Sequence, residues 1–240
     1  MDWTFVYIIA CLMILPAFIF GGISHVMAEN TFRRYAEDLN QKGIPAHELT
    51  KKLLEIAGIT NVEVVRVNGF LTDCYDPRNK VIKLSDSTYN STSIAAAGVC
   101  AHEVGHAIQD AKGTLLFRLR GSLVPVVNFL SRLYIPLVLA GAILGMATTL
   151  VSFGYILTWA AIIMYGANTL FYLVTLPLEH DASKNALLLL KETEYFTGGE
   201  IDNAKHVLKA AIQTYIGTLI ISALYFLRFL SYAMIFRKND

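Results

Sequence analysis

Charged side chains are scarce in this sequence of 240 residues, and their signs are balanced. Asp, Glu, Lys and Arg together make up 16% of the residues, and the formal net charge is +1. A balanced charge without a basic tract is not typical of nucleic-acid binding, so we expect no nucleic-acid partner. Hydrophobic residues make up 55% of the chain and the mean hydropathy is +0.48, which is more apolar than usual for a soluble domain.

Cysteines are also few. The chain contains Cys11, Cys74 and Cys100, and no two of them form a C-x-x-C pair. An odd number of cysteines without metal-ligand spacing argues against a disulfide framework and against a thiolate zinc site. We expect reduced thiols, which suit a domain that faces the cytosol.

Long runs without Asp, Glu, Lys or Arg indicate a membrane protein. Residues 3–24 suffice for one span of the ~20 residues that a bilayer requires. Residues 133–178 fit two spans with a turn near residues 152–154. Residues 210–236 are interrupted only by Arg228, so they form either a fourth span with a snorkelling arginine or a helix along the membrane. We therefore expect three or four transmembrane helices in contact with the lipid bilayer.

Basic residues beside these runs predict the orientation. Residues 1–2 contain no Lys or Arg, whereas Arg33 and Arg34 follow the first run. The positive-inside rule therefore places the N-terminus outside and these flanks in the cytoplasm. Arg237 and Lys238 disagree with this topology if the last run also crosses, so the side of the C-terminus stays open. The missing basic n-region favours an uncleaved anchor over a signal peptide.

The most informative motif lies at residues 102–106, where HEVGH matches H-E-x-x-H. Because residues four apart share one face of an α-helix, His102 and His106 can bind one zinc ion. Glu103 borders that face and can accept a proton from a metal-bound water. N-cap candidates at residues 90–92 and the small residues after them predict a helix through the motif. The pattern predicts a zinc hydrolase, most simply a peptidase, with one Zn²⁺ per chain.

The segment before this motif has the pattern of a globular domain. Helical periodicity is present in residues 31–41 and 45–57, and strand-like alternation in residues 61–67, 69–75 and 80–84. These strands predict a small antiparallel sheet. Its exposed edge could bind an extended peptide through main-chain hydrogen bonds, and residues 69–75 are the candidate edge. An ordinary edge strand without this role is the alternative.

A catalytic zinc usually has a third protein ligand. In one type of zinc protease this is a histidine six residues after the second, but here that position is Lys112. Glu179 is the best candidate. It follows the second long apolar run, which departs from the membrane surface after the motif helix, so the chain is back at that same surface when it reaches Glu179. His180 and Asp181 are rival ligands, and Asp181 could instead orient a ligating histidine. The alternative for Glu179 is a helix N-terminal acid without a metal.

These residues and their flanks resemble the YugP-type membrane zinc peptidases of bacteria. The resemblance covers nearly the whole chain and is carried by residues 74–85, 93–96, 99–109 and 176–183. More distantly, the chain is similar to the HtpX and CAAX-prenyl protease group, which has a small gluzincin domain among membrane helices. This similarity implies His102, His106 and Glu179 as zinc ligands and Glu103 as the general base. The distant group has an aspartate four residues after its ligand glutamate, where this chain has Ser183.

Together, motif and resemblance predict an α-helical, multi-pass protein of the bacterial inner membrane. It would contain a small α+β, gluzincin-like zinc peptidase domain whose active site faces the cytoplasm. The predicted domains are an N-terminal transmembrane anchor (1–27), a cytosolic catalytic region with the sheet and the motif helix (28–120), a membrane helix pair (121–177), a third-ligand helix with a cytosolic segment (178–209) and a C-terminal membrane helix (210–240).

The predicted activity is hydrolysis of extended or unfolded protein segments by zinc-activated water. Glu103 would take the proton of the water and deliver it to the leaving amine, and His206 or Tyr195 could stabilise the oxyanion. One alternative is an intramembrane-cleaving protease, but its H-E-x-x-H would lie inside a span and a later aspartate motif would follow. The other alternative is a non-catalytic, zinc-stabilised scaffold or chaperone, which would have no use for Glu103.

Overall fold

A computed structural model describes residues 2–145 and 151–237 of the chain. Six helices and three strands are assigned in this part: α1 (Trp3–Tyr35), α2 (Ala46–Ile56), β1 (Glu63–Val67), β2 (Cys74–Asp76), β3 (Val81–Ser85), α3 (Ile94–Ala111), α4 (Leu115–Gly145), α5 (Val151–Glu192) and α6 (Gly198–Arg237). The chain divides into two compact units, a membrane unit (Met1–Ile23, Leu119–Thr175, Tyr215–Asp240) and a site unit (Ser24–Arg118, Leu176–Thr214).

Three helices of the described chain are long and apolar enough to cross a membrane, in the ranges Trp3–Tyr35, Ile156–Glu192 and Gly198–Ile235. An α-helix suits such sequences because it satisfies every backbone N–H and C=O within one segment. These ranges agree with the first, third and fourth predicted spans. The second predicted span falls on α4, which is not among the three, and then on residues 146–150, which lie outside the described part.

The predicted turn near residues 152–154 falls on the first turn of α5, which begins at Val151. Helix α4 ends at Gly145, and residues 146–150 between the two helices lie outside the described part. The expected helical segment over residues 31–41 is helical only up to Tyr35, where α1 ends.

Close helix contacts hold the membrane unit together. A Cβ atom placed on Gly217 of α6 would lie 3.0 Å from the Cα atom of Gly21 on α1. Between α5 and α6, the hydroxyl groups of Thr169 and Ser222 are 2.8 Å apart. Small residues that allow a close approach, and hydroxyl groups that hydrogen-bond across helices, are common means of helix association in membranes.

The site unit has its own hydrophobic core between α2, the sheet and α3. Helix α2 buries Leu49 and Leu53, four residues apart, and β3 buries Ile82 and Leu84, two residues apart. These spacings match the periodicities of a helix and a strand. Helix α3 is buried on several sides and is built from small residues such as Ala96, which allow neighbouring elements to approach it.

The sheet differs from the predicted antiparallel arrangement. Its strand order is β1-β3-β2, with β1 parallel to β3 and β2 antiparallel to β3. The predicted strand over residues 69–75 shrinks to β2, because Gly69 and Leu71 have positive φ angles of 127° and 53°, which interrupt an extended chain. The chain turns after β2, where the Asp76 carboxylate accepts hydrogen bonds from the backbone N–H groups of Arg78 and Asn79. Because the strand order is β1-β3-β2, strand β2 lies at an edge of the sheet.

The crossing of α1 and α6 gives a test of packing in the membrane unit. We expect Gly217→Val to lower the unfolding free energy in detergent by about 1–3 kcal/mol, because the added side chain would meet the backbone of α1. Gly22→Val is the matched control, since a Cβ atom at Gly22 meets no atom within 4 Å. Equal unfolding curves for the two variants would contradict this interpretation of the crossing.

Candidate metal centre

The H-E-x-x-H motif lies on α3, as predicted. Ser93 caps this helix, with its hydroxyl oxygen accepting a hydrogen bond from the Ala96 N–H at 3.1 Å, so the cap follows the predicted residues 90–92 directly. His102 and His106 lie one turn apart with their ring centroids separated by 4.7 Å. The local sequence thus places both imidazoles on one face of a capped helix.

Helix α5 brings Glu179 to the two histidines. Its Oε2 atom lies 3.1 Å from His102 Nε2 and 3.6 Å from His106 Nε2, and the ligand atoms of all three residues lie within 4.8 Å of one another. Tetrahedral zinc with bonds of ~2.0–2.1 Å would separate its ligand atoms by about 3.3 Å. Two imidazole nitrogens and one carboxylate with these separations fit a catalytic zinc ion.

Burial and position within α5 distinguish Glu179 from the rival ligands His180 and Asp181. Glu179 is 1% exposed and lies well inside α5, so it is not a helix N-terminal acid. His180 and Asp181, by contrast, are exposed. The described contacts therefore favour Glu179 as the third residue that could hold a metal.

A close crossing of α3 and α5 makes this arrangement possible. A Cβ atom on Gly105 would lie 3.0 Å from the carbonyl carbon of Ala182, and closer still to its oxygen. Only glycine fits at this position unless the two backbones separate. Gly105 occupies an unspecified position of H-E-x-x-H, so the motif gave no reason to single it out, although a glycine within a helix often has a packing role.

Each histidine also has a partner at its other ring nitrogen. The Ser183 hydroxyl oxygen lies 3.1 Å from His102 Nδ1, and Gln109 Oε1 lies 3.0 Å from His106 Nδ1. Such partners orient metal-ligating histidines. Asp181, which the sequence suggested for this role, contacts Gln109 in the described structure. The sequence offered one signal for Ser183, since it lies four residues after Glu179 on the same helix face.

The two candidates for stabilising the oxyanion are His206 and Tyr195. His206 stacks on the ring of Tyr35 with a centroid separation of 6.2 Å. Tyr195 packs against the hydrophobic core of the site unit. The predicted role of these two side chains in stabilising the oxyanion stays a prediction.

Glu103 is buried beside the candidate ligands, with 7% of its surface exposed. Burial raises the pKa of its carboxyl group to about 7, because the charged form loses its hydration. His102 opposes this shift, Glu179 adds to it, and the nearby backbone of Tyr75 favours the charged form. A carboxyl group with a pKa near 7 is suited to accept and return a proton at neutral pH.

The edge strand β2 is attached to α3 near this carboxylate. The Tyr75 hydroxyl donates to the Asp110 carboxylate at 2.6 Å, and Lys80 forms an ion pair with the same carboxylate at 2.6 Å. Burial and the bond to Asp110 both raise the pKa of Tyr75, so its hydroxyl stays a donor. The buried ring of Phe117 lies 6.5 Å from Tyr75 and 6.3 Å from His106 by ring centroids. Tyr75 and Phe117 therefore form an aromatic wall beside the site.

The described part of the chain has a mostly helical fold with three candidate membrane spans and a candidate zinc centre of two histidines and one glutamate. The chain belongs to the family described as "Putative neutral zinc metallopeptidase", whose sequence profile matches residues 10–234. It is 35% identical over 201 residues to "Putative membrane protease YugP" of Bacillus subtilis (strain 168), which covers 84% of this chain and 86% of that protein. No solved structure matches the chain. The resemblance to the YugP-type zinc peptidases is confirmed, and the family implies zinc as the metal.

The crossing at Gly105 predicts a loss of metal affinity. We expect Gly105→Ala to weaken zinc binding about tenfold or more, because strain of about 1–3 kcal/mol at the Ala182 carbonyl is relieved only by moving α5 and Glu179 away. Chelator competition measures this affinity. Gly121→Ala is the control, since its added Cβ atom would meet nothing within 4 Å. If Gly105→Ala bound zinc as tightly as the wild type, the close crossing would not be needed to hold Glu179 in place.

The raised pKa of Glu103 predicts a pH-dependent stability of the metal-free protein. The folded state binds this proton up to about pH 7 and the unfolded state only up to about pH 4.5, so stability falls as the pH rises between these values. Metal-free Glu103→Gln should therefore be more stable than the wild type above pH 7, by up to ~3 kcal/mol, with the difference vanishing towards pH 4.5. Unfolding in detergent with EDTA over this pH range measures the difference.

An exposed carboxyl group provides the control for this experiment. Glu37→Gln removes a carboxylate from the surface, so its stability relative to the wild type should not follow the same pH dependence. A difference between Glu103→Gln and the wild type that stays constant from pH 5 to pH 8 would show that burial does not raise this pKa.

Proposed function

We propose that this protein is a zinc-dependent endopeptidase of the membrane that hydrolyses extended or unfolded protein segments. The observation that carries the proposal is the convergence of His102, His106 and Glu179 next to the buried Glu103. Membership of the metallopeptidase family supports the same reaction class. The gluzincin-like character of the site unit, with a third-ligand glutamate on a later helix, is part of this proposal.

The residues of the site divide the chemistry between them. His102, His106 and Glu179 would hold one zinc ion, which supplies Lewis acidity that polarises a carbonyl group and makes water a better nucleophile. Glu103 then accepts the proton of the attacking water and delivers it to the leaving amine.

The edge of the sheet supports an extended substrate. Strand β2 pairs with β3 on one side only, and the backbone of Tyr75 lies close enough to Glu103 to favour the charged form of its carboxyl group. The general base therefore lies directly beside the strand edge. A peptide that pairs with this edge by main-chain hydrogen bonds would pass next to Glu103 whatever its side chains, as a protease of unfolded segments requires.

The cellular setting follows from the flanking charges. The positive-inside rule applied to residues such as Arg33 and Arg34 supports a multi-pass protein of the bacterial inner membrane with its site on the cytoplasmic side. The five predicted domains, from the anchor at residues 1–27 to the last membrane helix at residues 210–240, belong to the same proposal. Substrates would be protein segments that reach this membrane surface.

Cleavage of casein by purified, zinc-loaded protein in detergent tests this function. We expect Glu103→Gln to reduce the rate by a factor of about 10²–10⁴, the usual contribution of a general base, while it retains one zinc ion per chain. Glu37→Gln, which changes an exposed carboxylate, should cleave like the wild type. Equal cleavage by wild type and Glu103→Gln would contradict the mechanism, and zinc binding without cleavage by any variant would favour the scaffold.

A further inference from the structure

Gln109 is a buried amide that contacts both a candidate ligand and helix α5. It lies on α3, three residues after His106, and only 1% of it is exposed. Its Oε1 atom is 3.0 Å from His106 Nδ1. Its Nε2 atom donates to the Leu178 carbonyl oxygen at 2.8 Å and to the Asp181 carboxylate at 2.9 Å. All of its hydrogen-bonding groups are therefore engaged inside the site unit.

The partners on α5 fix the orientation of this amide. A backbone carbonyl oxygen and an ionised carboxylate only accept hydrogen bonds. The NH₂ group of Gln109 must therefore face Leu178 and Asp181, and the carbonyl oxygen must face the imidazole. The reversed amide would place a carbonyl oxygen against two acceptors and leave buried oxygens without a donor, which is costly.

The orientation of the amide in turn assigns the protonation of His106. Because Oε1 of Gln109 only accepts, His106 Nδ1 must carry the proton. In the neutral ring the lone pair then lies on Nε2, the atom that faces Glu179 at 3.6 Å. A metal ligand must present such a lone pair, so the hydrogen bond prepares His106 for coordination.

His102 has a different partner, and the difference is informative. Its Nδ1 atom lies 3.1 Å from the Ser183 hydroxyl oxygen. A hydroxyl group can donate or accept, so it orients the ring without assigning the position of the proton. Of the two histidines, His106 is thus the one whose protonation is fixed by its surroundings.

We infer that Gln109 is a positioning residue of the metal centre, that it acts through His106, and that Asp181 acts on the centre only through Gln109. The inference rests on the proposed zinc site but not on peptide cleavage. It also accounts for Ser183, which stands where the distant group has an aspartate. In this chain the supporting acidic side chain is Asp181, which acts on His106 through the Gln109 amide.

Zinc affinity of purified protein, measured by chelator competition, tests this assignment without any assay of cleavage. Gln109→Met keeps the bulk of the side chain and removes its hydrogen bonds, and we expect it to bind zinc about 10–100-fold more weakly. Asp181→Leu should have a smaller effect, because the Leu178 carbonyl still orients the amide. In the Gln109→Met background, Asp181→Leu should change the affinity less than about twofold, since coupled residues are not additive.

Two controls separate this result from general damage. Asn185→Ala removes the other hydrogen bond to the Asp181 carboxylate, at 3.1 Å, and should leave zinc affinity unchanged. The visible spectrum of the cobalt-substituted protein should change in Gln109→Met, because the ligand geometry at His106 changes, and stay as in the wild type in Asn185→Ala. Because Asp181 is exposed, Asp181→Leu should fold even if Gln109→Met does not, and wild-type zinc affinity with an unchanged cobalt spectrum in Asp181→Leu would then overturn the assignment.

The inference would be overturned by either of two results. One is wild-type zinc affinity and an unchanged cobalt spectrum in Gln109→Met. The other is an equal loss of affinity from Asp181→Leu in both backgrounds, which would show that Asp181 acts independently of Gln109. A protein that binds zinc with the expected pattern but cleaves nothing would contradict the proposed peptidase and leave this assignment standing.

Discussion

The contact between Gly105 and Ala182 is the constraint on which the rest of the site depends. It places one turn of α5 against the middle of α3, at a distance that no side chain on Gly105 would allow. Residues 178–183, on and beside that turn, then supply the contacts of the centre, which are the Leu178 carbonyl, the carboxylates of Glu179 and Asp181 and the Ser183 hydroxyl. If the crossing widened, all of these groups would move away from α3 together, because they share one helix.

The polar groups buried near this crossing differ in how far their surroundings compensate the loss of hydration. Gln109 is buried at little cost, since both ends of its amide are hydrogen-bonded. Glu103 is also buried, but its raised pKa shows that its surroundings do not fully compensate the loss of hydration. A fold that needed only the metal ligands would gain stability by replacing Glu103. Retention of an acid at a destabilising position is expected where the acid takes part in the chemistry, as in a peptidase, and not in a scaffold.

The sequence predicted the local features of the site well, for physical reasons. The spacing of His102 and His106 defines a helix face, and the position of Glu179 follows from the return of the chain to the membrane level. The parallel pairing of β1 with β3 was not predictable, because alternation shows which face a strand buries but not its neighbour. Nor was the role of Gln109, which depends on α5 groups 69 and 72 residues further along the chain. Such long-range hydrogen bonds leave no periodic signal.

Helix α3 links the metal centre to the edge of the sheet. It carries two of the candidate ligands and Glu103, the proposed general base, and through Asp110 it also holds the hydroxyl of Tyr75 on β2. The backbone of Tyr75 also lies close enough to Glu103 to favour its charged form. Helix α3 therefore keeps strand β2 and the proposed base near each other. A peptide that paired with the edge of β2, as proposed, would thereby pass beside Glu103.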